Sequence, residues 1–191
     1  MPDPGVSLDA NRVISLTLSL KSNDVKERSI KVNTFEWLEM SPLAEWVGGS
    51  LIGYPLMLTS HGVGMSIVVG ILFVMNFRLL GFFNGIAFSA FNPLLKLAWA
   101  GFVLNFLSGC ALFIAQATVF IESIPFLIKI AAIFLAGINA AFIQNLMKQK
   151  SVNWDAGDVV SGSVRWLAIS SLVLWSTVIV AGRMIAYLDV G

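Results

Sequence analysis

Four runs of this chain are each long and apolar enough to cross a bilayer, and that constrains the fold before anything else. A hydrocarbon core takes about 20 mostly apolar residues per helix. Residues 51–77, 93–116, 124–147 and 164–188 all meet that requirement. Lipid offers no water to backbone N–H and C=O groups, so each run must close its hydrogen bonds internally, as a helix. The expected fold is therefore all-α, a four-transmembrane-helix bundle. Pro93 and Pro125 fall in the first turns of the second and third spans, where a missing N–H costs little. Composition agrees: 57% of the 191 residues are hydrophobic and 12% are charged, against about a quarter charged in a soluble domain.

The formal net charge of +1 points away from nucleic acid and acidic substrates. The single cysteine, Cys110, excludes an internal disulfide and a cysteine-only metal site. The opening "MPDPGVSLDANRV" has no basic stretch followed by an apolar one, so no cleavable signal is expected. Orientation follows from the short loops. Arg78, Lys96, Lys148, Lys150 and Arg165 flank the connections after spans one and three, whereas the connection after span two offers Glu122. Both termini are accordingly expected on the periplasmic side.

Ahead of the spans lie two further segments. Residues 34–50, "TFEWLEMSPLAEWVGGS", set Phe35, Leu38, Leu43, Trp46 and Val47 against Glu36, Glu39 and Glu45. Tryptophans in such a segment favour the headgroup layer, so an interfacial amphipathic helix broken near Pro42 is expected. Residues 1–33 form an extramembrane tail. Within it "VISLTLSL" alternates Ile14, Leu16, Leu18 and Leu20 with Ser15, Thr17 and Ser19, a strand pattern with one apolar face. "KSND" then reads as a turn and "RSIKVN" as a second strand. An isolated hairpin is marginal in water, so Ile14, Leu16, Leu18 and Leu20 are the candidate partner-binding residues, pairing with another subunit.

Small residues repeat at helical spacing in three spans: Gly62, Ser66 and Gly70; Gly101, Asn105 and Gly109; Ala132, Ala136 and Ala140. Such stripes let helices approach closely in lipid. Ionisable and amide side chains inside the spans are few, and each is a candidate site. His61 is the only histidine. The residue types leave three roles for it. It is a structural tie to Asn105 or a backbone carbonyl, with Asn139 and Gln144 as further structural polar residues; or an axial ligand of haem b, with Arg183 on a propionate; or a copper ligand with Met57, Met65 and Cys110. Lys129 is expected to snorkel toward the outer headgroups. Asp155 and Asp158 fall in a polar loop and are expected to be solvated. No nucleophile elbow or phosphate-binding loop is present.

The strings "SPLAEWV", "SLIGYPLMLTSHGVGMSIVVG", "FRLLGF", "IPFLIKIAAIFLAGINAAF" and "LWSTVIVAGRMIAY" resemble an uncharacterised bacterial family of four-helix integral membrane proteins, known only as a domain of unknown function. The resemblance covers about residues 35–187. It singles out Pro55, His61, Gly62, Arg78, Leu79, Gly81, Gly109, Lys129, Asn139, Gly182, Arg183 and Tyr187. Asn76 stands where that family favours an aspartate, and Gln144 where it often carries a histidine. The resemblance implies the four-helix fold in a bacterial inner membrane and brings no established activity. The leading expectation is a non-catalytic accessory subunit of a larger inner-membrane complex, docked through its tail and helix faces. The alternatives are a haem b or copper redox protein using His61, and a small transporter or quinone-site protein.

Overall fold

The structure, a computed structural model, describes residues 10–155 and 159–188. Seven helices follow in order: α1 (Ala10–Glu39), α2 (Pro42–Gly49), α3 (Gly53–Leu80), α4 (Phe91–Ala115), α5 (Ala117–Glu122), α6 (Ile124–Asp155) and α7 (Gly162–Leu188), with a 3-10 turn, Phe88–Ala90, leading into α4. No strand occurs among the described residues. Four of the helices, α3, α4 with its leading turn, α6 and α7, are long and apolar enough to cross a membrane. The third exceeds its expected span most: α6 is 32 residues long, about 48 Å at 1.5 Å per residue, so its last two turns extend past the 124–147 span.

The expected hairpin at the N-terminus is corrected. Over its described residues, 10–33, the tail is part of the 30-residue helix α1; residues 1–9 lie outside the description. A strand needs a neighbour for its backbone groups, whereas a helix satisfies them within itself. The hydroxyl of Thr17 donates to Val13 O at 2.8 Å, one helical turn back. Helical spacing also divides the apolar face the strand would have had. Ile14 and Leu18 now share one stripe with Val25, and Leu16 and Leu20 share another with Val13. All six are exposed.

The break near Pro42 has a local cause. Ser41 takes an extended backbone (φ −70°, ψ 149°) and its side chain accepts from Ala44 N, with Pro42 at the first helical positions of α2. Gly81 ends α3 in the left-handed region at φ 101°. Phe82 N donates to Phe77 O there, the closing bond of a Schellman motif.

The four long helices pack as two close pairs, α3 with α4 and α6 with α7, joined through α3 and α7. Where α3 and α4 cross, an added Cβ on Gly64 would stand 2.7 Å from Asn105 N and 2.7 Å from Gly101 O. This crossing revises the stripe expected on the first span. Gly62, Ser66 and Gly70 are exposed, and the close approach belongs to Gly64, two residues round from Gly62. Large apolar side chains fill the bundle toward the 3-10 turn, where Met75, Leu79, Phe88, Phe91 and Ile143 are fully buried. The opposite end, where α5 joins α4 to α6, is closed by rings: Phe113, Phe120 and Phe126 stack on one another at 5.3–6.4 Å.

Candidate functional site

His61 lies on α3 about 12 Å from its start, half-buried, and faces α4. Its ring Nδ1 is 3.0 Å from Asn105 O, and the Asn105 side-chain amide donates back to His61 O at 2.8 Å. A carbonyl can only accept, so Nδ1 carries the ring proton and Nε2 carries the lone pair. Ser108 Oγ also lies near Nδ1, at 3.4 Å, while bonding its own helix at Leu104 O. Gly109 makes the arrangement possible: a Cβ there would come within 3.0 Å of His61 Cε1.

The partner of Nε2 is Lys129. Its Nζ, on the second turn of α6, is 3.4 Å away. With Nε2 as acceptor, the amine donates. Lys129 reaches this position beside Gly182 of α7, where a Cβ would lie 3.5 Å from Nζ. Residues of four helices therefore meet at one level: an imidazole, an amide, an amine and the glycines that admit them. Expected to snorkel outward, Lys129 instead points inward to the ring.

Arg183 is not part of this group. It is exposed, one residue past Gly182 and so about 100° round the helix. Its guanidinium lies over the Tyr187 ring at 5.6 Å. Arg183, expected to serve a propionate of a haem held by His61, makes no described contact with His61, and the residue beside the ring is Lys129. Nor do the residues fit haem or copper. The ring nitrogen with a lone pair is aimed at the Lys129 amine, which occupies the ligand direction. Cys110 is exposed. Met65 turns into the core beside Asn105, Ile133 and Trp175, around a cavity of about 10 Å³, room for one water at most. Met57 is half-buried on α3.

The other polar side chains of the bundle also tie helices together. Asn139 of α6 donates to Ser170 Oγ at 2.7 Å and to Leu167 O at 3.3 Å on α7. Gln144 is half-buried farther along α6. Asn76 of α3, fully buried, donates to Ser171 Oγ of α7 at 2.8 Å. Four ties were not anticipated from sequence: Lys129 with His61, Asn76 with Ser171, and two contacts at the helix ends. At one end Glu39 Oε1 accepts from Thr118 N at 2.8 Å and from its hydroxyl at 2.7 Å, joining α1 to α5. At the other, Asp155 caps the 3-10 turn, accepting from Phe88 N at 2.6 Å and Ser89 N at 3.1 Å. Asp155 is therefore a capping residue rather than a free loop acid. Asp158 lies outside the described residues. The signal for Asn76 was a lone amide in an apolar run; the other ties required the fold.

Between α6 and α7 runs an open groove of about 850 Å³, walled by apolar residues such as Ile128, Val180 and Met184, with Glu122 at its end. Fold and site together describe a helical bundle with four helices long and apolar enough to cross a membrane. Several of its interior polar groups bond from helix to helix, while Asn76 Oδ1, Asn139 Oδ1 and Trp175 Nε1 are buried without a partner among the described residues. Comparison with protein-family models, curated proteins and solved structures finds no match.

Proposed function

We propose that this chain is a non-catalytic accessory subunit of a larger bacterial inner-membrane complex, and that α1 is its docking element. One observation carries the reading. Val13, Ile14, Leu16, Leu18, Leu20 and Val25 all stand exposed on α1, Leu20 at 70%. The described ties of this helix to the bundle lie in its last turns, where Phe35 meets Phe113 edge-on at 6.2 Å and Glu39 holds Thr118. Lys21, Asp24 and Lys26 interrupt the apolar residues, which makes lipid a poor environment for that stretch. A protein surface suits it better. The interior supports the same reading, because His61, Asn105, Asn76 and Asn139 bond across helices rather than line a substrate-sized cavity.

In the bilayer, α2 and the end of α1 lie at the outer headgroup layer, with Trp37 and Trp46 exposed there. An even number of spans puts both termini on one side, and the basic residues of the loops after the first and third spans favour the periplasm for that side. The resemblance to the uncharacterised four-helix family belongs to the same proposal. Removing residues 1–33 tests it: the shortened chain should keep its helical bundle and migrate alone on a native gel, while the full chain migrates with its partner. A full-length chain that migrates alone after mild extraction contradicts the reading.

A further inference from the structure

The groove of about 850 Å³ between α6 and α7 follows only part of their length. Its α7 wall runs from Met184 to Leu172, about 18 Å at 1.5 Å per residue. The whole of α7 has 27 residues, about 40 Å on the same scale. Val173, Thr177, Val180 and Met184 recur at helical spacing and so share one stripe of that wall. Thr177 returns its hydroxyl proton to Val173 O at 2.9 Å, which suits a wall against hydrocarbon. Ile124 and Ile128, in the first turns of α6, stand opposite. Among the described residues that line the groove, Glu122 carries the one ionisable group, exposed at the end of α5.

We propose that this groove holds one acyl chain of an amine-headed phospholipid, phosphatidylethanolamine, with the headgroup ammonium on the Glu122 carboxylate. Two observations select this occupant. The first is length. One leaflet of a hydrocarbon core about 30 Å thick measures about 15 Å, close to a groove that begins at the α5 end and stops near the middle of α7. A transmembrane helix of another subunit would need a channel along the whole span. The second is charge. A carboxylate at the headgroup end takes an ammonium through charge-assisted hydrogen bonds and repels a headgroup whose only charge is its phosphate. Hydrocarbon gains no hydrophobic energy by leaving bulk lipid for the groove. Close packing therefore holds the chain, and the headgroup sets the choice of lipid. The inference requires the four long helices to cross a membrane, as the proposed function does, and is independent of α1 and its partner.

The test is native mass spectrometry of the full chain released from nanodiscs that hold phosphatidylethanolamine and phosphatidylglycerol in equal amounts. The expected result is one phosphatidylethanolamine retained per chain, in several-fold excess over phosphatidylglycerol. Glu122→Gln should bring the two lipids to equal retention. Val180→Trp, which fills the groove from an exposed position, should release both. Equal retention or no retained lipid in the wild-type chain overturns the proposal. So does a preference that survives Glu122→Gln, or retention unchanged in Val180→Trp. Should either variant fail to fold, the wild-type chain decides, with phosphatidylethanolamine that carries a diazirine on one acyl chain. Photolysis should label the peptides holding Ile128 and Val180 above those holding Phe106 and Leu107, which are exposed on α4. Equal labelling of the two sets overturns the proposal.

Discussion

Asn105 and His61 hold each other twice, amide to backbone carbonyl at 2.8 Å in one direction and ring to backbone carbonyl at 3.0 Å in the other. The two bonds lock α3 against α4 at one level. Asn105→Ala removes the first and leaves the second, since the ring bonds a main-chain oxygen. The expected cost is about 0.6–1.7 kcal/mol, the range found for interhelical bonds in membranes. His61→Ala also releases Lys129. In a double-mutant cycle read by unfolding in mixed micelles, the two effects should be close to additive, because each side chain bonds the other residue's main chain and neither substitution removes the other's bond.

Glycines separate packing from permissiveness. At Gly64 an added Cβ meets backbone atoms of α4 at 2.7 Å, which cannot swing aside, so the helices must part. Gly64→Ala should destabilise by about 1–3 kcal/mol, the usual cost of overpacking. Gly70, on the same helix, faces open space. Gly70→Ala should change stability by less than about 1 kcal/mol, the scale of helix propensity. Unfolding of the two variants side by side checks this.

Asp155, on the two turns of α6 beyond the apolar span, makes the end of the bundle sensitive to acid. The Phe88 amide chiefly holds its carboxyl below the ordinary 3.8, against desolvation, with Ser89 and then the charge of Arg78 adding to the lowering. A carboxylate depressed in the folded state contributes stability that is fully present above its unfolded value and is lost as pH falls through the folded one. The cap should therefore be indifferent to pH near neutrality and fail only below about pH 4. Asp155→Asn should loosen it at neutral pH, seen as faster amide exchange at Phe88 and Ser89 and little change at Gly64.

Glu39 should control how the end of α1 is held against α5. Its Oε1 takes both the amide and the hydroxyl of Thr118. In Glu39→Ala those donors lose their acceptor, and the last turn of α1 should exchange amide protons faster while α3 and α4 stay protected.

The four spans were legible because lipid leaves an apolar run of that length few alternatives. Asn105 was legible as a partner for His61 because both lie mid-span on adjacent helices. The tail was not. Val13–Leu20 alternates with period two, but alternation specifies a strand only where another strand receives its hydrogen bonds, and helix formation needs no partner. Lys129 was misplaced for a different reason. Its depth in α6 suits snorkelling, and only the arrangement of Gly182, Gly109 and the His61 tautomer turns it inward. The glycine stripe of α3 failed by two residues: Gly62 and Gly70 share a face, and Gly64 makes the contact.

The most direct test of the accessory-subunit account is native mass spectrometry of the full chain, released mildly from its own membrane. The account predicts additional protein mass on this chain, lost when residues 1–33 are removed while the four-helix bundle stays folded. A full-length chain that flies alone, or that keeps its partner without α1, contradicts it.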